Sequence, residues 1–115
     1  MLRENFDFAP DAELSIEIDP RTVTSESLRV LAEIGFNRTS LGVQDFNPEV
    51  QTAVHRIQPF EMVEQCSVEC RAAGFESINF DLIYGLPKQT LQSFSITLDQ
   101  VILLSPARIA LYNYA

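Results

Sequence analysis

The chain has 115 residues, 46% of them hydrophobic, and carries a formal net charge of −8 from 16 acidic and 8 basic residues. This length and composition predict one folded domain, and the excess of negative charge disfavours binding to nucleic-acid backbones or anionic membrane surfaces. No apolar run approaches the length of a membrane span, the first residues do not resemble a secretory signal, and two cysteines suit a reducing compartment, so we expect a cytoplasmic protein.

The first half of the chain predicts a strand, a helix and a second strand. Polar and apolar residues alternate over 13–18, which indicates a strand. Helical spacing of apolar residues then follows, with Thr24 or Ser25 as the N-cap and Gly35 placed to end the helix. Residues 38–43 read as the second strand because a buried run follows the helix stop.

The second half continues this alternation of helices and strands. The predicted elements are a short helix over 47–54 with Pro48 at its first position, a longer helix over 60–73 ended by Gly74, a strand over 77–85, a helix over 91–104 and a strand over 108–115. Such alternation is typical of βαβ units, which form parallel sheets through right-handed crossovers. The fold class is therefore α/β. Periodicity does not decide between an open sheet and a barrel, although a chain that ends on a strand favours an arc of a barrel.

Polar side chains follow the predicted strands near their carboxyl ends, where parallel α/β proteins bind ligands. They are Glu17 and Asp19 after the first strand, Gln44 and Asp45 after the second, Asp81 in the third, and Asn113 and Tyr114 in the fourth. Because carboxyl ends of parallel strands meet at one edge of the sheet, we expect these groups to converge there.

Each of these residues also has an ordinary structural interpretation. Glu17 fits the solvated face of an alternating strand. Asp45 precedes "FNPE" and suits a turn or a helix cap, whereas Gln44 has no such local role. Asp81 lies among apolar residues, so a functional role and a structural partner are equally open. Arg56 follows a short helix, where surface pairing is the default interpretation.

Other chemical sites are not supported by the spacing of residues. His55 is the single histidine and is assigned no role. Cys66 and Cys70 share one face of a helix and suit a core position better than an iron–sulfur loop. The segment "IYGLPKQ" has one glycine and no G-K-[ST], so it is not a phosphate loop. No residue is predicted to be a catalytic acid, a catalytic base or a metal ligand.

Several segments together resemble one enzyme family. They are "ELSIEIDP", "FNRTSLGVQDFNPEVQ", "HRIQ", "INFDLIYGLPKQT" and "LYNYA". In order and spacing they are similar to the oxygen-independent coproporphyrinogen III oxidases, radical S-adenosylmethionine (SAM) enzymes of heme biosynthesis. The resemblance covers about residues 13 to 115, and "IDP" with "GVQDF" favours the oxidases over the related heme chaperones.

The resemblance implies an arc of a partial (β/α)6 TIM-like barrel, with residues 1–115 forming a fragment of the radical SAM core that matches its third to sixth strands. It places the C-x3-C-x2-C loop that holds the 4Fe–4S cluster, the glycine-rich SAM segment and the C-terminal domain outside this chain. Coproporphyrinogen III is the implied substrate of the full-length protein, which also needs an electron donor. The fragment alone is expected to be inactive.

The resemblance also assigns roles to five residues. Glu17 and Arg56 match positions that hold the polar groups of SAM, with the carboxylate suited to an ammonium and the guanidinium to a carboxylate. Gln44 and Asp81 match cofactor contacts to ribose hydroxyls, and Ala115 matches a contact made through the backbone. The alternatives are a radical SAM heme chaperone and a non-enzymatic remnant of the fold.

Overall fold

Four segments of alternating side-chain character form a parallel sheet in the computed structural model, which describes residues 14–114. The strands are Ser15–Ile18 (β1), Arg38–Gln44 (β2), Ser77–Tyr84 (β3) and Arg108–Asn113 (β4). Their order in the sheet is β1-β2-β3-β4, and every neighbouring pair is parallel. Each connection therefore moves one strand further in the same direction. A doubly wound sheet reverses direction at its switch point, whereas a barrel does not. The α/β prediction is confirmed, and the strand order agrees with an arc of a barrel.

Four helices connect these strands, and side chains that cap their ends fix their bounds. They are Ser25–Ile34 (α1), Pro48–Ala53 (α2), Phe60–Ala73 (α3) and Leu91–Leu103 (α4). Thr24 and Thr90 accept hydrogen bonds from the backbone N–H groups three residues later, and Asn47 caps α2 ahead of Pro48. At the end of α3, Gly74 has a φ of 109°, a left-handed conformation that a residue with a Cβ rarely adopts.

The helices cover only one of the two faces of the sheet, which we call the helix face. Its central side chains are fully buried, among them Leu41, Phe80 and Leu82. They pack with buried residues of the helices, namely Leu28, Val63, Cys66, Cys70 and Val101. Period-two alternation in the strands thus supplies one continuous apolar layer for the core.

The opposite face of the sheet, the polar face, carries the alternate residues of the same strands. Register places Glu17 beside Ser40, Ser40 beside Asn79, and Gly42 beside Asp81. A polar row therefore crosses the sheet where an open parallel sheet would need a second apolar layer. This arrangement is the one expected if the polar face lines a ligand cavity.

The edge strand β4 differs from the other three because its side chains are exposed on both faces. Ile109 is 40% exposed and Leu111 54% exposed, although both occupy helix-face positions in the register. Within residues 14–114 no helix covers them.

The predicted bounds differ from the observed ones by a few residues. Strand β1 begins at Ser15, and the predicted start at Glu13 lies outside the described residues. Strand β2 extends one residue beyond the prediction because Gln44 pairs with Leu82 across a bulge. The helices of the described range are all too short or too polar to cross a bilayer.

Candidate functional site

The carboxyl ends of the strands surround a cavity of about 550 Å³ on the polar face. It is lined by Glu17, Ile18, Asp19, Gly42, Gln44, Arg56, Asp81, Ile83 and Tyr112. The structure thus brings together four of the five residues predicted to bind the cofactor. The fifth, Ala115, lies outside the described residues. The volume is in the range of about 300–1,000 Å³ typical of small-molecule sites.

Three side chains of this cavity have no partner among residues 14–114. Within residues 14–114, the side chains of Glu17, Gln44 and Asp81 form no hydrogen bond or ion pair. Burial of the Asp81 carboxyl raises its pKa, and the nearby charge of Glu17 raises it further. The structural partner that the sequence left open for Asp81 does not lie in the described range. Polar groups held in this way are available to a ligand.

Gln44 reaches the cavity through a strained turn at the end of β2. Its φ is 66°, and the N–H of Asp45 donates to the carbonyl of Val43 at 2.8 Å. This three-residue hydrogen bond with a positive φ at the centre describes a γ-turn of the rare form. Such strain costs about 1–3 kcal/mol and persists where the surroundings hold it in place.

Asp45, the next residue, turns away from the cavity and is 1% exposed. Its carboxylate accepts hydrogen bonds from the Asn47 N–H at 2.7 Å, the Thr97 hydroxyl at 2.6 Å and the Gln89 amide at 2.7 Å. The turn interpretation of Asp45 is confirmed, whereas the helix cap is Asn47. Sequence reasoning missed the partners Gln89 and Thr97, which lie 44 and 52 residues along the chain.

Arg56 lies against the strand end, so the default surface pairing is wrong for this residue. Its Nη2 donates to the carbonyl of Gly42 at 3.0 Å and lies 4.0 Å from a carboxylate oxygen of Asp19. The preceding residue, His55, has a φ of 57°, which turns the chain back after α2. The buried Nε of Arg56 has no hydrogen-bond partner in the described part of the chain. Arg56 nevertheless lines the cavity, so its positive charge is available to a ligand there.

Asp19 belongs to the same cavity, although the sequence interpretation did not commit it to a role. Hydrogen bonds from the Arg21 side chain lower the pKa of Asp19 to about 2, so this carboxylate is ionised at neutral pH. With Glu17 and Asp81, the cavity holds three carboxylates, opposed by the guanidinium of Arg56 and by that of Arg21, which pairs with Asp19. The imbalance favours a ligand that carries net positive charge.

The residues set aside in the sequence lie away from this cavity. Cys66 and Cys70 are buried in the core on α3, and a hydrogen bond to Cys66 together with burial raises the pKa of Cys70. His55 does not line the cavity. Among residues 14–114, no three His, Cys, Asp or Glu side chains are grouped so that they could hold a metal ion.

Comparison with known proteins places this geometry in context. The chain matches the family model described as "Radical SAM superfamily" over residues 1–101. It is 56% identical over 108 residues to an oxygen-independent coproporphyrinogen III oxidase of Helicobacter pylori, covering 94% of this chain and 24% of that protein. It is 53% identical over all 115 residues to the Escherichia coli enzyme of the same name, of which it covers 25%. The chain thus spans about a quarter of the length of these relatives.

Solved structures show the same relationship. The coproporphyrinogen III oxidase from Escherichia coli, described as a radical SAM enzyme, superposes with a TM-score of 0.90 at 54% identity and covers 99% of this chain and 26% of that chain. A radical S-adenosylmethionine methyltransferase from Kitasatospora setae superposes with a TM-score of 0.77 at 19% identity, covering 87% of this chain and 20% of that chain. The second likeness concerns the fold alone.

Proposed function

Because the chain belongs to the radical SAM superfamily, we propose that its cavity binds SAM as part of an oxygen-independent coproporphyrinogen III oxidase. Membership of this superfamily implies SAM and a 4Fe–4S cluster as cofactors. The observation that carries the proposal is that Glu17, Gln44 and Asp81, which have no partner in the described part of the chain, line the same cavity as Arg56. Its supporting context is sequence identity above one half with enzymes named for this activity.

The residues of the cavity fit the polar groups of SAM. The charge of the Arg56 guanidinium suits the methionyl carboxylate, and Glu17 suits the ammonium. Gln44 ends β2, Asp81 lies in the neighbouring strand β3, and both supply acceptors for ribose hydroxyls. A contact through the backbone of Ala115 is proposed from the family resemblance.

The charge of the cavity also matches this ligand. SAM carries a sulfonium, an ammonium and a carboxylate, and is therefore a net cation. Even with Asp19 paired to Arg21, the carboxylates of Glu17 and Asp81 outnumber the guanidinium of Arg56, so the cavity attracts a net cation and still offers one partner for the carboxylate of the ligand. Neutral adenosyl thioethers that lack the sulfonium charge should bind less tightly.

The proposed reaction is the oxidative decarboxylation of two propionates of coproporphyrinogen III to vinyl groups, which yields protoporphyrinogen IX. The cofactors supply the radical chemistry when bound. This chain binds and orients SAM, and none of the described cavity residues is assigned as a proton donor or acceptor. The cluster ligands, the substrate contacts and the electron-donor contacts are proposed to lie outside the chain, and the protein is proposed to act in the cytoplasm.

Titration of SAM onto the chain tests the binding proposal. We expect Glu17→Gln and Arg56→Lys each to weaken binding about 10- to 100-fold, the effect of losing a hydrogen bond to a charged group. Glu26→Gln and Arg29→Lys make the same chemical changes on the exposed surface of α1 and serve as matched controls. Affinity that is unchanged in both cavity variants would favour a non-enzymatic remnant of the fold.

A chimera tests the activity. In it, this chain replaces the matching 115 residues of the Escherichia coli oxidase. Conversion of coproporphyrinogen III to protoporphyrinogen IX supports the oxidase. Heme transfer without decarboxylation would identify a radical SAM heme chaperone, and loss of both activities would overturn the assignment.

A further inference from the structure

We propose that Gln58 is a positioning residue for Arg56, acting through the carbonyl of Gly42. This inference rests on the proposed role of Arg56 as the partner of the SAM carboxylate. Gln58 does not line the cavity, so any effect on the ligand must pass through Arg56.

Two side-chain donors converge on the Gly42 carbonyl. The Gln58 Nε2 donates to it at 2.8 Å, and the Arg56 Nη2 donates to it at 3.0 Å. Gln58 is 1% exposed, so its amide is fixed within the protein. Both donors share one oxygen. The Gln58 amide therefore holds the Gly42 carbonyl in place, and the hydrogen bond to this carbonyl positions the Arg56 guanidinium.

A second amide, that of Gln51, fixes Gln58 itself. Its Oε1 accepts from the Gln58 N–H at 3.0 Å, and its Nε2 donates to the Gln58 carbonyl at 2.7 Å. The carbonyl of Gln51 also accepts from the Arg56 N–H at 2.9 Å. Gln51 thus binds the backbone on both sides of the loop residue Ile57. The Gln51 Nε2 also donates to the carbonyl of Asp45 at 2.9 Å, which attaches the loop to the residue that follows β2.

Gly42 contributes by having no side chain. A Cβ at this position would lie 3.0 Å from the Arg56 Nη2, tighter than most such contacts, so the guanidinium would have to move by a few tenths of an ångström. Glycine at residue 42 therefore lets the guanidinium keep its present distance from the strand. Gln58 and Gly42 together position Arg56. Gln58 holds the Gly42 carbonyl, and the missing side chain of Gly42 leaves room for the guanidinium.

The Gln58 amide also carries an unsatisfied group. Its Oε1 is buried without a hydrogen-bond partner among residues 14–114. Burial of an unpaired acceptor costs free energy, which an apolar side chain of similar size would avoid. A purely structural role does not explain this cost, whereas positioning of the Gly42 carbonyl requires the amide donor.

If Gln58 positions Arg56, its loss should weaken recognition of the ligand carboxylate in particular. If Gln58 only stabilises the fold, its loss should weaken binding of ligands with and without the carboxylate equally. The measurement is the affinity for SAM divided by the affinity for its decarboxylated analogue, made on the chain and repeated on the chimera. Gln58→Met removes the N–H donors and the carbonyl acceptor of the side-chain amide and keeps a similar side-chain volume. We expect it to lower this ratio about tenfold, toward the ratio of Arg56→Lys. Gln65→Met is the matched control, because Gln65 is exposed on α3.

Gly42→Ala gives the same test without touching Gln58. It should lower the ratio as Gln58→Met does, and the double variant of Gln58→Met with Arg56→Lys should be less than additive. Equal loss of affinity for both ligands in Gln58→Met and Gly42→Ala would overturn the positioning role. An unchanged ratio in Arg56→Lys would instead count against the proposed function.

Discussion

The two faces of the sheet are built from the same strands and behave in opposite ways. On the helix face, Leu41 and Phe80 are fully buried and packed against helices. On the polar face, Glu17, Gln44 and Asp81 surround a cavity and have no partner among the described residues. In each strand, one set of alternate residues therefore stabilises the fold, and the other set is available to bind a ligand. Substitutions on the two faces should therefore separate these properties.

The largest expected effect is on the helix face. Phe80→Ala should destabilise the chain by about 3–5 kcal/mol, since it removes a fully buried ring from the centre of the core. Asp81→Asn, one residue along, should not lower the free energy of unfolding, because it replaces a carboxylate whose ionisation burial disfavours, and it should weaken SAM binding. Urea denaturation and ligand titration measure the two quantities. Comparable destabilisation by both variants would show that the polar face contributes to stability as much as the helix face does.

Asp45 should produce the next largest effect, although it sits beside a cavity residue. Asp45→Ala removes a buried carboxylate and leaves the Thr97 hydroxyl, the Gln89 amide and the Asn47 N–H without their acceptor. We expect a loss of about 3 kcal/mol in the free energy of unfolding. Asp99→Asn, on the exposed side of α4, is the control and should change stability by less than about 0.5 kcal/mol.

Substitution of Gln44 should raise the free energy of unfolding, whereas Phe80→Ala and Asp45→Ala lower it. Gln44→Gly relieves the left-handed strain at a φ of 66° and should stabilise the chain by about 1 kcal/mol. The same change removes a polar group from the cavity and should weaken SAM binding. Thermal unfolding and titration of one sample measure both effects. A loss of stability on this substitution would mean that the turn is not strained.

The smallest effect concerns the two carboxylates of the polar face. Glu17→Gln should lower the pKa of Asp81 toward its ordinary value, because one of the two causes that raise it disappears. NMR titration of the Asp81 carboxyl measures the shift. A pKa of Asp81 that is insensitive to Glu17→Gln would show that burial alone raises it.

Linkage fixes the sign of the corresponding effect on stability. Because the folded-state pKa of Asp81 is raised, its contribution to stability is fully present below the ordinary value of 3.8. That contribution is lost as the pH rises through the folded-state pKa. Asp81→Asn should therefore gain stability relative to the native chain over the same rise in pH.

The sequence predicts the helix face better than the polar face for a physical reason. Strand alternation, Pro48 at the start of α2 and Gly74 at the end of α3 are local signals, and the structure agrees with them. The partners of Asp45 are 44 and 52 residues away, and the position of Arg56 depends on a turn at His55. Such contacts arise only when the fold brings distant segments together.

Residue similarity supplied what local signals could not. Periodicity left Gln44 and Asp45 indistinguishable as polar residues after a strand. The resemblance assigned Gln44 to the cofactor, and the structure places Gln44 at the cavity and Asp45 in the protein interior. For Glu17, alternation alone favoured a solvated face, which is also the face on which the cavity lies.

The sequential order of the strands has a consequence for synthesis of the chain on the ribosome. Each strand after β1 pairs with the one made just before it, so β2, β3 and β4 each find a partner already synthesised. The sheet can therefore grow by one βα unit at a time as the chain emerges. Gln44 ends β2, and Arg56 can contact β2 as soon as the loop after α2 has been made. Asp81 then joins the cavity when β3 pairs with β2, before β4 has been translated.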